Sequence, residues 1–256
     1  MHRYVLGLSL SLLLTGLLTP LCAGAAAASP VVITFAEAPV YLWRDTGRLI
    51  AGRGTPLQAN DLVDASERTI QLVAAGSTIA LGPDSRLFVK SAAELVLLKG
   101  WLKVRGAPAQ GVKLRTSLLQ FDSSGATVTL HAAPGSAELF VESGEVPVTE
   151  LVAGKAQRST RLPREQFAVK SAALPLTLAS HPPKAFLAAM PRALFDALVS
   201  VAASGPANTP RRERAATFDE LAPLLAEHPA LLQQVQRRFQ GAPARGPRPR
   251  LSNALF

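Results

Sequence analysis

The sequence predicts a mainly β fold, a short-stranded antiparallel sandwich or β-solenoid with a small C-terminal helical appendage. Three observations predict it. From Val31 to about Ser180 the apolar residues recur with period 2 in short runs. Gly, Pro, Asp, Asn and Ser punctuate those runs at close spacing. After Ser180-His181-Pro182-Pro183 the apolar residues recur at helical spacing instead.

VVITF and VYLW open the series of strands, and TIQLVAAG, STIALG, SRLFVKS, ELVLLKG and WLKV follow. KLRT, LLQFD, ATVTLHA, AELFVES and EVPVTEL continue it, and EQFAVKS with LPLTLAS closes it as a hairpin. In ATVTLHA, Val128 and Leu130 share one face and leave Thr127, Thr129 and His131 on the other. In QLVAAGSTIALGPDSRLFV, Gly76 and Gly82 are the turn candidates, and Ile79, Leu81, Leu87 and Val89 carry the apolar face. ELVLLKGWLKV and LFVESGEVPV align on Gly100 and Gly144, 44 residues apart. Each glycine is expected at a positive-φ turn between two strands, which suggests two similar layers.

In KAFLAAMPRALFDALVSVAAS, Phe186, Leu187, Met190, Leu194, Phe195, Leu198 and Val199 form the apolar stripe, and Pro191 divides it into two short helices. GPANTPRRER reads as a basic linker. Thr217-Phe218-Asp219-Glu220 reads as a capping box, and Pro229 stands where ALLQQVQRRF would begin a last helix. The expected division is a signal peptide at 1–28, a β-domain at 29–180, a helical appendage at 181–240 and a disordered basic tail at 241–256.

The first segment reads as an export signal. Met1-His2-Arg3-Tyr4 gives a short positive start, and the apolar run from Val5 to Leu18 is too short to span a bilayer. Ala23-Gly24-Ala25 and Ala26-Ala27-Ala28 are small-x-small cleavage sites, so the mature chain is expected to start between Ala26 and Ser29. Leu21 precedes Cys22, where a lipoprotein signal needs a small residue, so no lipid anchor is expected. An uncleaved membrane anchor is the competing reading. Cys22 leaves with the signal, and the mature protein then has no thiol, no disulfide and no cysteine-ligated metal.

With 27 Lys+Arg against 18 Asp+Glu the chain carries a net charge of +9. In a cytoplasmic protein that balance would suggest nucleic acid. For an exported chain the available polyanions are lipopolysaccharide, anionic lipid and cell-wall polymer, so no nucleic-acid partner is expected. Arg237, Arg238, Arg245, Arg248 and Arg250 crowd the end of the chain, either as a solvated tail or as a polymer-binding patch.

No enzyme is expected. His131, His181 and His228 fall in three different elements, none with a metal-ligand or acid partner at suitable spacing, and no cofactor or metal is implied. Glu142, Glu145 and Glu150 gather near one predicted hairpin, where solvated acids at a turn are ordinary. No nucleophile elbow, zinc-protease motif or phosphate-binding glycine loop occurs.

GTPLQANDLVDASERTIQLVAAGSTIALGPDSRLFV followed by ELVLLKGWLKV resembles the periplasmic FecR domain. Asn60-Asp61 stands where that pattern has Gly-Asp, Gly76-Ser77 with Ile79 and Leu81 carries its hairpin, and Leu97 to Val104 around Gly100 supplies the next element. GVKLRTSLLQFDSSGATVTLHAAPGSAELFVESGEVPVTEL is similar to the second part, ending in a glycine hairpin from Val141 to Val148. The resemblance covers about residues 50–151, and SSGATVTLHAAPGSAELFV follows the family pattern loosely. Family members resemble a relay in which a cytoplasmic segment holds a sigma factor and the periplasmic domain contacts an outer-membrane receptor. Only Met1 to Tyr4 precedes the apolar run here, so the resemblance implies a stand-alone exported version. The expected function is a non-catalytic protein-binding module of the cell envelope, possible roles being signalling or envelope assembly. Recognition is expected at exposed edge strands. The alternative is a binder of an anionic envelope polymer through the basic C-terminal region.

Overall fold

The computed structural model describes residues 29–202 and 206–241; the expected signal segment and all but the first residue of the expected tail lie outside the described residues. In chain order the strands are β1 (Val31–Ala36), β2 (Val40–Arg44), β3 (Gly47–Ala51), β4 (Pro56–Leu57), β5 (Leu62–Asp64) and β6 (Ile70–Ala74). Next come β7 (Ser77–Leu81), β8 (Arg86–Ser91), β9 (Glu94–Arg105), β10 (Lys113–Arg115), β11 (Leu119–Asp122) and β12 (Thr127–Ala133). The last are β13 (Ser136–Ser143), β14 (Glu145–Val152), β15 (Lys155–Pro163), β16 (Phe167–Ser171), β17 (Thr177–Ala179) and β18 (Arg211–Ala215).

These strands make two curled sheets. The first runs β4–β1–β6–β7–β9–β12–β13–β16–β17 and is antiparallel throughout. The second runs β18–β3–β2–β5–β8–β9–β10–β11–β14–β15, antiparallel except for the parallel pair β9–β10. β9 belongs to both, pairing in the second sheet through Glu94–Lys99 and in the first through Gly100–Arg105. The period-2 pattern explains the core. Ile33, Leu72, Ile79, Leu102, Leu130 and Leu139 of the first sheet join Leu42, Val63, Leu87, Leu97, Leu114 and Val148 of the second in one fully buried cluster.

Two kinds of connection join the strands. Tight hairpins stay within a sheet: Ala75-Gly76 (φ 46° and 73°) joins β6 to β7, and Ala153-Gly154 (φ 49° and 77°) joins β14 to β15. Both central residues are left-handed, as a turn matching the strand twist requires. The other kind carries the chain across to the facing sheet. Gly100 (φ 90°) and Gly144 (φ 78°) are of this kind, so their flanking strands continue into opposite sheets and do not form the hairpins that the sequence suggests. Positive φ serves either connection, and only long-range pairing decides between them. Gly82 lies at another crossing. It needs no left-handed backbone; instead a side chain there would press on Trp101 and Pro191, at 3.0 and 3.1 Å.

The C-terminal quarter covers both outer faces. Helix α1 (Lys184–Ala189) and a 3-10 turn at Arg192–Leu194 lie on the first sheet, where Phe186, Met190, Leu194 and Leu198 pack on Ala80, Trp101 and Phe167. Leu187, on the outer side of α1, stays exposed, as do Phe195 and Val199, which follow the last helical turn at Arg192–Leu194. Helix α2 (Phe218–Leu221), a 3-10 turn at Ala222–Leu225 and helix α3 (Pro229–Gln240) lie on the second sheet. There Leu221, Leu225, Leu231 and Val235 cover Trp43, Leu62, Phe88, Val96 and Leu98. Strands covered on both sides read as unbroken apolar runs, which accounts for LFV in β8 and LVLL in β9. The segment expected as a basic linker instead supplies β18, which extends the second sheet beside β3. Its side chains are all exposed, and main-chain pairing with β3 together with surface ion pairs places it.

Candidate functional site

The second sheet ends on β15, a long open edge. β15 bonds to β14 on one side, and seven of its nine residues are exposed, only Thr160 and Leu162 being covered. Its charge is one-signed. Lys155 and Arg158 have no acidic partner among the described residues; Arg161 meets Glu145 at 3.1 Å on the surface, and Arg164 just beyond the strand meets Glu165 at 2.7 Å. Such exposed pairs are worth little. Exposed Val152 closes the neighbouring hairpin. The opposite edge differs, because two of the three cations of β18 are engaged. Arg212 donates to the Thr46 carbonyl at 3.3 Å, and Arg214 pairs with Glu220.

The crossing at Gln58–Asp61 is the most heavily bonded connection. Asp61 is fully buried and accepts from Arg44 Nε and Nη2 at 2.9 and 2.7 Å and from the Gln58 N–H at 2.7 Å. Asn60 beside it has φ 74°, a left-handed backbone that Asn tolerates next best to Gly. α3 is clamped to this crossing, since Gln234 Nε2 donates to Asn60 Oδ1 and Arg238 Nη1 donates to the Asn60 carbonyl at 3.0 Å.

The acids grouped by sequence separate in space. Glu142 faces out from the first sheet, where it accepts from Thr129 Oγ1 at 2.7 Å and pairs with Lys103 at 2.8 Å. Lys103 is 1% exposed and also donates to the carbonyls of Leu194 and Asp196, at 2.9 and 3.0 Å. A polar network on an outer face thus holds down the chain that follows α1. Glu150 accepts from the Leu176 N–H at 3.0 Å, and Glu145 stays exposed. His131 is stacked on Trp101 with ring centres 4.1 Å apart, and its Nδ1 lies 2.8 Å from Glu138 across the β12–β13 pair. Seven residues of separation around a hairpin hide that partner from spacing arguments.

The start of α3 roofs a cavity of about 590 Å³ against the second sheet. Val96, Leu118, Pro229 and Leu231 line it, the Ala153-Gly154 turn forms one wall, and Lys90, Arg115 and Glu227 reach it. His228, just before α3, is 8% exposed, and burial lowers its pKa to about 4. Its Nε2 has no hydrogen-bond partner. Among the described residues no three of His, Cys, Asp and Glu gather as a metal site, and no helix is long and apolar enough to cross a membrane.

No family model matches the chain, and no curated protein matches it. Among solved structures, two crystal structures of a candidate anti-sigma factor from Parabacteroides distasonis are similar to part of it, each with a TM-score of 0.39 and with 12% and 11% identity. Each match covers 49% of this chain and 59% of the other, so the chain spans about three fifths of the length of those structures.

Proposed function

We propose that this chain is an exported, non-catalytic protein-binding module of the cell envelope, FecR-like in its strand pattern, that takes up an extended segment of an envelope protein along β15. The observation that carries this is the open edge itself, nine residues long and bonded on one side only. An added strand gains main-chain hydrogen bonds there, and alternate side chains set its register. Lys155, Arg158 and Arg161 give the edge a preference for an acidic partner. The same cations guard an unoccupied edge against self-pairing, so their presence is consistent with a strand that waits for a specific partner. Export would be by the N-terminal signal, with cleavage between Ala26 and Ser29 and no lipid on the mature chain.

The rival, polymer binding through the basic C-terminal region, has less support at Arg238, whose guanidinium is committed to Asn60 and partly buried under α3. A photo-crosslinking residue at Ser159 distinguishes the two. In intact cells it is expected to trap one discrete protein, with the adduct lost on Arg158→Glu and unaffected by the same residue placed at Asn208. Trapping of lipopolysaccharide alone, or equal adducts from both positions, rejects the proposal.

A further inference from the structure

The cavity under α3 has a chemistry that edge recognition does not use. Its volume, about 590 Å³, falls within the range of small-molecule sites, and its walls are mainly apolar. Three charged groups reach it, and two are matched. Lys90 is paired with Glu94 at 2.9 Å, and Glu227 accepts from Ser117 Oγ at 3.1 Å and from the Gly135 N–H at 2.8 Å. Arg115 is the exception. Its Nη2 donates to the Gly154 carbonyl at 2.7 Å, which fixes the guanidinium, while its Nη1 and Nε have no partner among the described residues. The wall also holds a buried, uncharged imidazole whose Nε2 is unsatisfied. A buried polar atom without a partner is costly unless something supplies one.

From this juxtaposition we infer that the cavity binds a small amphipathic acid, with its apolar body between α3 and the second sheet and its single anionic head on Arg115. The guanidinium is fixed by its bond to Gly154 and keeps N–H groups without a protein partner, on which a carboxylate or sulfonate can rest. A cationic amphiphile finds only Glu227 for its charge, and that carboxylate is already held by two donors.

The probe is 1-anilinonaphthalene-8-sulfonate, an apolar body with one anionic group, titrated into the folded protein and followed by its fluorescence. One saturable site is expected. Decanoate should displace the probe, and decyltrimethylammonium should not. Arg115→Gln should weaken binding about tenfold, the usual worth of one charge-assisted contact. Leu118→Trp and Ala230→Trp each fill the cavity and should abolish the signal; Ala230 is exposed on α3, so its variant keeps the test open should Leu118→Trp fail to fold. Parent-like binding by Arg115→Gln, or by either folded Trp variant, overturns the assignment, as does displacement by the cationic amphiphile to the same extent. Arg158→Glu, which addresses the β15 edge, should leave the titration unchanged, so the two proposals fail separately.

Discussion

A Cβ built on Gly100 would lie 2.6 Å from the Cα of Ser85, well inside the distance at which carbon atoms repel. Two crossings between the sheets meet at this point. Ser85 Oγ accepts from the Trp101 N–H at 2.8 Å and donates to the Trp101 carbonyl at 3.0 Å, so the contact is bonded as well as close. Gly144 repeats the relationship, with the Gly125 carbonyl oxygen 2.6 Å from the position its Cβ would take. Gly100→Val and Gly144→Val therefore combine a left-handed backbone with a main-chain overlap and should each cost about 3 kcal/mol or more. Gly135→Ala, at φ 68° with nothing within 4 Å, should cost only about 1 kcal/mol. In thermal melts the difference is roughly 5 °C or more for a chain of this size. Equal melting temperatures for the three variants would contradict the crossing geometry.

Lys103→Met should destabilise the first outer face. It leaves the carbonyls of Leu194 and Asp196 without their shared donor and Glu142, itself partly exposed, with only Thr129, at a cost of about 1–3 kcal/mol. Limited proteolysis should then cut between residues 190 and 200 before any other site among the described residues. Cleavage no faster than in the parent would show that apolar packing alone holds that segment.

Burial gives His228 a pH signature. Its pKa falls from 6.5 in the unfolded chain to about 4 in the folded one, so between these values the unfolded state binds the proton and the folded state does not. The contribution is absent above pH 6.5 and grows unfavourable as pH falls toward 4, reaching about 3 kcal/mol. Urea unfolding at pH 7 and pH 4.5 should show a loss in the parent that His228→Gln largely removes. Glu220, lowered to about 2 chiefly by its hydrogen bond from Arg214, acts in a lower window, below the ordinary carboxylate value of 4.5.

Ending the chain after Ser180 should not leave a stable β-domain. It uncovers Trp43, Leu62, Phe88, Val96 and Leu98 on one face and Trp101 and Phe167 on the other. At about 1.5–3 kcal/mol per large side chain the loss is comparable to the whole stability of a domain. Size-exclusion chromatography should show aggregation. A chain ended after Gly241 keeps all the described packing and should melt within a few degrees of the parent.

Much of the fold was legible because it rests on local pattern. The strands at VVITF, VYLW and STIAL, the break at Pro191 and the start of α3 at Pro229 all follow from period, φ restriction or a missing N–H. What stayed hidden depends on distant partners. Gly100 and Gly76 carry the same conformational signal, yet one crosses between sheets and the other closes a hairpin. β18 has no large apolar residue to mark it, because an edge strand paired through its main chain needs none. Lys103 and Glu142 are 39 positions apart, so no motif links them. The cavity is assembled from Val96, Arg115, Gly154 and His228, which no spacing rule connects.

The twelve residues of β9 run without a break from one sheet into the other. Two stacked layers held only by side chains could shear past one another under load. Here a covalent chain passes through both, with Gly100 seated against Ser85 at the transfer point. Tension applied to an edge strand of one layer is thereby delivered to the other through peptide bonds, and the layers yield as a single mechanical body. A pull on β15 is thereby borne by the whole sandwich. Amide exchange in β7 and β8, one strand from each layer, should accordingly share one opening free energy.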